Sequence, residues 1–211
     1  MTEPARVPSE DATAEQAVVI LSGLSGGGKT AAAKLFEDLG YTVVDNLPGE
    51  LLPDLADLVS SDSARFAQVA IVLDVRSGDA ALALASMRGA LEGRGIEPRI
   101  VFLEASDDAL IRRFSETRHR HPLADGRGIA SSIAEERRLL ESVRAQADVI
   151  IDTSELSLRQ LRDVVRVLHE PDVEDEVGLQ WHPVLEAKGQ DLQGELVRAG
   201  GRRDLGEQPF P

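Results

Sequence analysis

The chain has 211 residues, of which 42% are hydrophobic and 28% charged, so it can form one domain with a sizeable core plus short extensions. It contains no cysteine, which excludes disulfide bonds, thiolate metal sites and cysteine nucleophiles, and its formal charge of −14 opposes non-specific binding to nucleic acids and anionic membranes. No apolar run is long enough to span a bilayer and residues 1–16 lack the apolar part of a secretion signal, so we expect a cytoplasmic protein without a membrane partner.

The first predicted elements surround a glycine-rich loop. Residues 1–16 are polar without apolar periodicity, which predicts a disordered lead-in. An apolar, β-branched strand is expected at 17–21, and a run of good helix formers at 31–39 ends at Gly40. Between them the G-x-x-x-x-G-K-[ST] spacing is matched by Gly23, Leu24, Ser25, Gly26, Gly27, Gly28, Lys29 and Thr30. Because the motif requires this order of strand, loop and helix, we predict a phosphate-binding loop, called the P-loop below, rather than an ordinary turn.

The residue types of the P-loop indicate how it would bind a nucleotide. Its glycines allow successive backbone N–H groups to turn toward an anion, and the following helix adds the positive end of its dipole. Lys29 is expected to reach the β- and γ-phosphates, and the hydroxyl of Thr30 is expected to bind Mg²⁺. The sequence therefore predicts a nucleotide site from Gly23 to Thr30.

Strands and helices alternate in the sequence as far as residue 169. Further strands are expected at 41–45, 68–73, 99–103 and 148–151, each followed by a helical pattern. The alternation predicts a three-layer α/β P-loop NTPase domain over residues 17–169, with a five-stranded parallel sheet and right-handed crossovers.

Three helix starts are predicted from capping residues. Ser106 is expected to cap the helix that follows the fourth strand. Two capping boxes, Ser132-x-x-Glu135 and Ser157-x-x-Gln160, predict the starts of two later helices, the first of which would run through Ala147.

Four acidic residues are expected at the C-terminal ends of the strands, where ligands bind in open parallel sheets: Asp45, Asp74, Glu104 and Asp152. Asp74 follows the most continuous apolar strand, and we expect it to hold Mg²⁺ directly or through water; the alternative is a turn or capping aspartate. Asp45 is a candidate for orienting an attacking water or an acceptor hydroxyl, or else forms an Asx turn. Asp152 is expected to make turn and cap contacts, and the alternative is a contact to the nucleotide base.

The segment 112–127 is locally basic within this acidic chain. Its candidate catalytic residues are Arg113, Arg118 and Arg120. An arginine that closes over the phosphates can raise the rate by about 10³- to 10⁵-fold, and the alternative is that these are solvated arginines of an amphipathic helix. His119 and His121 have no third ligand nearby in the sequence, so we expect them on the surface of this lid rather than in a metal site.

Several longer stretches carry a family resemblance. Besides the P-loop, they are Val-Asp-Asn-Leu-Pro at 44–48, Leu-Leu-Pro-Asp-Leu at 51–55, Asp-Val-Arg at 74–76, Arg-Arg-Phe-Ser-Glu-Thr-Arg-His-Arg-His-Pro-Leu at 112–123 and Ile-Asp-Thr-Ser-Glu-Leu-Ser at 151–157. Over about residues 17–169 the chain resembles the RapZ/YvcJ family of P-loop nucleotide-binding proteins, the RNase adapter family. The resemblance implies a kinase-like fold and slow hydrolysis of bound ATP and GTP. It implies an ATP site from Gly23 to Thr30 and a GTP segment formed by Asp74, Val75, Arg76 and Ser77.

The segment 170–211 departs from the family pattern. Full-length relatives continue into a second domain with a Cys-Thr-Gly-Gly-x-His-Arg-Ser motif, which is linked to RNA binding in the best-known branch. Here the segment scatters glycines and prolines among charges, which predicts an irregular, disordered tail from a truncated terminus or a shifted reading frame. We therefore expect the chain to bind RNA only weakly.

Three functions are compatible with these patterns. We expect a weak, Mg²⁺-dependent ATPase and GTPase whose nucleotide state acts as a regulatory switch. The alternatives are a kinase for a small molecule or nucleotide, and a non-catalytic adapter for RNA or protein. The sequence does not predict the oligomeric state.

Overall fold

A computed structural model of the chain describes residues 16–47, 51–73, 80–117, 121–123 and 128–169. Within these residues, strands and helices alternate as predicted. The elements are β1 (Ala17–Gly23), α1 (Lys29–Asp38), β2 (Thr42–Asp45), α2 (Leu52–Ser61), β3 (Gln68–Val72), α3 (Ala80–Glu92), β4 (Arg99–Glu104), α4 (Asp107–Thr117), α5 (Ile129–Arg144), β5 (Val149–Asp152) and α6 (Leu158–His169).

The five strands form one parallel sheet in the order β2-β3-β1-β4-β5. Strand β1 lies at its centre, where Leu21 is paired with Val72 of β3 on one side and with Val101 of β4 on the other. The strand order reverses around β1, and in open parallel sheets ligands bind beyond the C-terminal ends of the strands at such a point. The predicted α/β fold with a five-stranded parallel sheet is confirmed.

Helices cover both faces of the sheet and produce the predicted three layers. The side chains of β1 alternate between the two cores: Val18 and Ile20 belong to the one that contains residues of α2, α3 and α5. Val19 and Leu21 belong to the core with α1 and α6. Because strands buried on both faces have continuous apolar sequences, β1, β3 and β4 are the strands that composition marks most clearly, whereas β2 is exposed or half-buried along its length.

The capping predictions had different outcomes. At α6, Ser157 Oγ accepts from the Gln160 N–H at 3.3 Å while Gln160 Oε1 accepts from the Ser157 N–H at 2.9 Å, so this capping box is confirmed. The cap at Ser106 is also confirmed, since its Oγ accepts from the Ala109 N–H at 3.3 Å.

The capping box predicted at Ser132 is wrong. Helix α5 begins at Ile129 after Gly128, which has a φ of 96°, and ends at Arg144 rather than Ala147. Ser132 therefore lies inside the first turn, where its buried hydroxyl is 3.2 Å from the carbonyl oxygens of both Leu123 and Gly128. Because Ser132 lies inside the helix, its hydroxyl is not at the N-cap position from which it could accept from the first helix N–H groups.

Several predictions concern residues outside the described ranges. They are the lead-in up to residue 15, the segment Asp74 to Ser77, the candidates Arg118, His119 and Arg120, and the tail from residue 170. Among the helices that the structure describes, none has the length and apolar composition needed to cross a membrane.

Candidate functional site

The P-loop lies at the C-terminal end of β1, in close backbone contact with β4. The Leu24 N–H donates to the Leu103 carbonyl at 3.0 Å. At Gly23, where φ is 138°, a Cβ would be 2.0 Å from the same carbonyl oxygen, so only glycine fits there. The loop ends at Gly28, whose φ of 102° turns the chain into α1. These contacts fix the loop where the strand order reverses.

The N-terminus of α1 is suited to an anion. Gly28 supplies no side-chain cap, and the first turn of the helix contains no acidic residue. The N–H groups of a helix N-terminus and the helix dipole together favour a bound phosphate. The predicted phosphate site is thus consistent with the local structure.

The two side chains predicted to contact phosphate and metal begin this helix. Lys29 Nζ donates to the Gly23 carbonyl at 2.7 Å and to the Leu24 carbonyl at 3.1 Å, so the ammonium group is held against the P-loop. Thr30 is exposed on the first turn. A hydroxyl oxygen fits Mg²⁺, which prefers oxygen ligands and usually combines one or two protein ligands with phosphate and water.

Arg113 of α4 holds the P-loop from the side of β5. Its Nη1 donates to the Gly26 carbonyl at 2.9 Å and to Thr153 Oγ1 at 3.0 Å, and its Nη2 donates to the Thr153 carbonyl at 2.6 Å. Thr153 Oγ1 is also 3.0 Å from the Gly27 carbonyl oxygen. Arg113 therefore connects α4, the end of β5 and the P-loop, and its catalytic role stays a prediction.

A buried carboxylate beneath the P-loop was missed by sequence reasoning. Glu136 of α5 is 5% exposed, and it accepts from the Ser25 N–H at 3.0 Å and from the Ser25 hydroxyl at 2.6 Å. His121 Nε2 is 3.1 Å from the same carboxylate. Because Glu136 stands among other charged residues of α5, its sequence gives no sign that it is buried.

The expectation that His121 lies on a lid surface is wrong. Its side chain is 3% exposed, and its ring packs on Phe114 with 5.0 Å between ring centroids. His121 is buried through its contacts with Phe114 of α4 and Glu136 of α5, and the latter is 15 residues away in the sequence. No local pattern in the sequence predicts these contacts.

The carboxylates at the strand ends have different surroundings. Asp45 is exposed at the end of β2. Glu104 is bound through both oxygens by Arg144, at 2.8 and 3.1 Å. Asp152 Oδ1 accepts from the Ser154 N–H at 2.8 Å, as expected for turn chemistry. Asp74 is outside the described ranges, and in those ranges no three histidine, aspartate or glutamate side chains are grouped to hold a metal ion.

Comparison with known proteins agrees with this architecture. A family profile described as RapZ-like N-terminal domain matches residues 16–172. The chain belongs to this family. The predicted resemblance is therefore confirmed over the part of the chain that contains the sheet, the P-loop and the α4–α5 region.

Curated members of the family from mycobacteria are named nucleotide-binding proteins. One from Mycobacteroides abscessus is 49% identical over 158 residues, and one from Mycobacterium ulcerans is 50% identical over 156 residues. The matches cover 75% and 74% of this chain but 52% and 51% of the relatives. The chain thus spans about half the length of the curated relatives it matches.

Solved structures of similar fold include kinases. Shikimate kinase from Acinetobacter baumannii, in complex with shikimate, has a TM-score of 0.50 at 17% identity, covering 79% of this chain and 98% of that one. A sugar kinase from Janibacter also has a TM-score of 0.50, at 18% identity, covering 75% and 95%. At these identities the likeness concerns the fold, and it confirms the kinase-like α/β architecture that the sequence predicts.

Proposed function

We propose that the domain binds ATP and GTP together with Mg²⁺ and hydrolyses them slowly, as a nucleotide-dependent regulatory switch. The observation that carries the proposal is the P-loop itself, which joins a central parallel strand to a helix N-terminus without a capping carboxylate. Lys29 lies across this loop, where its ammonium group can neutralise phosphate charge. The names of the mycobacterial relatives support nucleotide binding.

The expected ligands of Mg²⁺ are Thr30 and Asp74. When bound, the ion would neutralise charge on the phosphate oxygens. Thr30 would offer its exposed hydroxyl, and Asp74 directly follows Leu73, whose N–H donates to the Leu21 carbonyl at 2.8 Å at the end of β1. The Gly23 to Thr30 loop is proposed as the ATP site and the Asp74 to Ser77 segment as the GTP segment.

We expect slow hydrolysis because, of the strand-end carboxylates that the structure describes, two are already engaged by other groups. Glu104 is committed to Arg144, and the Asp152 carboxylate to its own turn. Asp45 is exposed at the end of β2, and it is our candidate for orienting a water. A P-loop hydrolase without an activating partner can turn over as slowly as about 10⁻⁴ to 10⁻³ s⁻¹, and we expect a rate in this range.

A kinase is the second candidate, because the exposed carboxylate of Asp45 can serve an acceptor hydroxyl as well as a water. A carboxylate at the end of β2 could accept a proton from an acceptor hydroxyl, and the fold is shared with small-molecule kinases. Turnover of Mg²⁺-ATP measured with and without a panel of small hydroxyl compounds and nucleotides decides between the two. A rise to about 1–100 s⁻¹ with one acceptor would establish the kinase, whereas an unchanged slow rate supports the hydrolase.

Nucleotide binding is tested by replacing Lys29 with alanine. We expect Lys29→Ala to lower the affinity for ATP and GTP, measured by calorimetry, by about 10- to 100-fold, because each charge-assisted hydrogen bond contributes about 1.5–3 kcal/mol. Lys34→Ala is the matched control, since Lys34 is an exposed lysine of the same helix. Equal affinities of the two variants would contradict the proposed site.

A further inference from the structure

Glu136 is a buried carboxylate whose hydrogen bonds join two separate parts of the molecule. An ionised carboxylate in a protein interior is costly unless donors surround it. The donors here are the N–H and hydroxyl of Ser25, in the P-loop, and the imidazole of His121, in the α4–α5 connection. A purely apolar residue would have filled the same space without needing three matched polar partners.

The hydrogen bonds of His121 determine its tautomer. The Leu123 N–H donates to His121 Nδ1 at 3.2 Å, so that nitrogen is the acceptor. The ring proton is therefore on Nε2, which donates to Glu136 Oε2 at 3.1 Å. His121 thus donates to the same carboxylate oxygen that accepts from the Ser25 N–H of the P-loop.

The route from Glu136 to Lys29 is short. Glu136 holds both the backbone and the side chain of Ser25. The preceding residue, Leu24, supplies a carbonyl that accepts from Lys29 Nζ at 3.1 Å and from the Gly27 N–H at 2.9 Å. A shift of Ser25 would move the carbonyl that positions the lysine.

A packing contact joins the same two parts of the molecule. The ring of Phe114 packs on His121 with 5.0 Å between ring centroids. A Cβ at Gly26 would be 3.3 Å from Phe114 Cε2, so the same ring also lies near the P-loop backbone. Displacement of His121 would therefore reach the loop through both Glu136 and Phe114.

We propose that Glu136 is a positioning residue for the nucleotide site: oriented by His121, it holds Ser25 and thereby the P-loop geometry that Lys29 requires. This rests on the proposed nucleotide binding. The nucleotide affinity of the P-loop would then depend on His121, because Ser25 and His121 are hydrogen-bonded to the same carboxylate. The arrangement at the loop and the arrangement at His121 are then thermodynamically coupled.

Two substitutions at Glu136 test whether the nucleotide site needs the hydrogen bonds of this side chain or only its volume. In Glu136→Gln, the amide oxygen can replace Oε2 and accept from Ser25 and His121, while the amide nitrogen donates to the rotated Ser25 hydroxyl. We expect it to bind Mg²⁺-ATP and Mg²⁺-GTP within about threefold of wild type, whereas Glu136→Leu loses about tenfold or more, within the range typical of coupled sites. The matched control is Glu141→Leu, on the exposed side of α5, which should bind as wild type does.

A double-mutant cycle tests the coupling even if Glu136→Leu does not fold. Ser25→Ala removes the hydroxyl donor to the carboxylate and leaves the Ser25 N–H donor, and His121→Phe removes the imidazole donor while keeping a ring against Phe114. If both act through Glu136, their effects on nucleotide affinity are not additive. The tautomer is measured independently of nucleotide, by nitrogen NMR of the His121 ring in the wild-type chain, and is expected to be Nε2–H.

The outcomes distinguish this inference from the proposed function. A wild-type chain that binds neither nucleotide overturns both. If the wild type binds but Glu136→Leu matches Glu141→Leu, or Glu136→Gln is as weak as a folded Glu136→Leu, the positioning role of Glu136 is overturned alone. The coupling would be overturned if the affinity loss of the Ser25→Ala/His121→Phe double variant equalled the product of the two single losses within about twofold. An Nδ1–H tautomer of His121 would overturn it as well.

Discussion

Replacing Arg113 by alanine would distinguish an arginine that holds the P-loop from one that acts on phosphate. The guanidinium donates to the Gly26 carbonyl and to both oxygens of Thr153. Hydrogen bonds to a charged group contribute about 1.5–3 kcal/mol each, but water can reach this half-buried side chain, so we expect a total loss of about 2 kcal/mol. For a domain of this size that corresponds to a melting temperature lower by about 4–8 °C.

The assay is thermal unfolding of Arg113→Ala, combined with nucleotide affinity and turnover. Arg112→Ala is the matched control, because Arg112 is the adjacent, exposed residue of the same helix and should change the melting temperature little. Arg113→Lys should recover only part of the stability, since an ammonium group cannot reproduce the planar, forked contact of a guanidinium.

Two results would refute this reasoning about Arg113. The first is an Arg113→Ala variant as stable as Arg112→Ala. The second is an unchanged melting temperature and nucleotide affinity together with a turnover reduced by about 10³-fold, which is the effect expected for an arginine that acts on the transferred phosphate.

Three further predictions concern the loop, a helix start and a buried tyrosine. Gly23→Ala should abolish nucleotide binding and lower stability strongly, because its Cβ would be 2.0 Å from the Leu103 carbonyl oxygen; calorimetry and thermal unfolding check this. Ser157→Ala should cost about 0.5–2 kcal/mol in denaturant unfolding, whereas an unchanged stability would show that its capping box with Gln160 is unimportant. Burial raises the pKa of Tyr41 above the ordinary 10.0, so the stability that the neutral phenol contributes is present below pH 10 and is lost as the pH rises through the raised pKa. Tyr41→Phe should therefore lose less stability than the wild type over that pH interval in alkaline unfolding. Identical pH–stability curves for the two proteins would contradict this.

Much of the fold, and the P-loop part of the candidate site, could be predicted from residues that are close together in the sequence. The P-loop motif, the apolar strand before it and the helix after it are adjacent in the chain, and Ser157 and Gln160 are 3 residues apart. Patterns of this kind report on interactions over a few residues, where backbone geometry leaves few alternatives. The alternation of strands and helices then leaves few ways to arrange a parallel sheet, because crossovers are right-handed.

The tertiary structure decided the contacts between distant residues. Glu136 is 111 residues from Ser25, and Arg113 is 87 residues from Gly26. A charged residue on a helix has the same local sequence pattern whether it faces water or a buried partner, so neither the burial of Glu136 nor that of His121 could be predicted. Ser132 and Ser157 make the same point, because both match a capping box. Only packing, which buries Ser132 against Leu123 and starts α5 at Ile129, determined that one of them is not a cap.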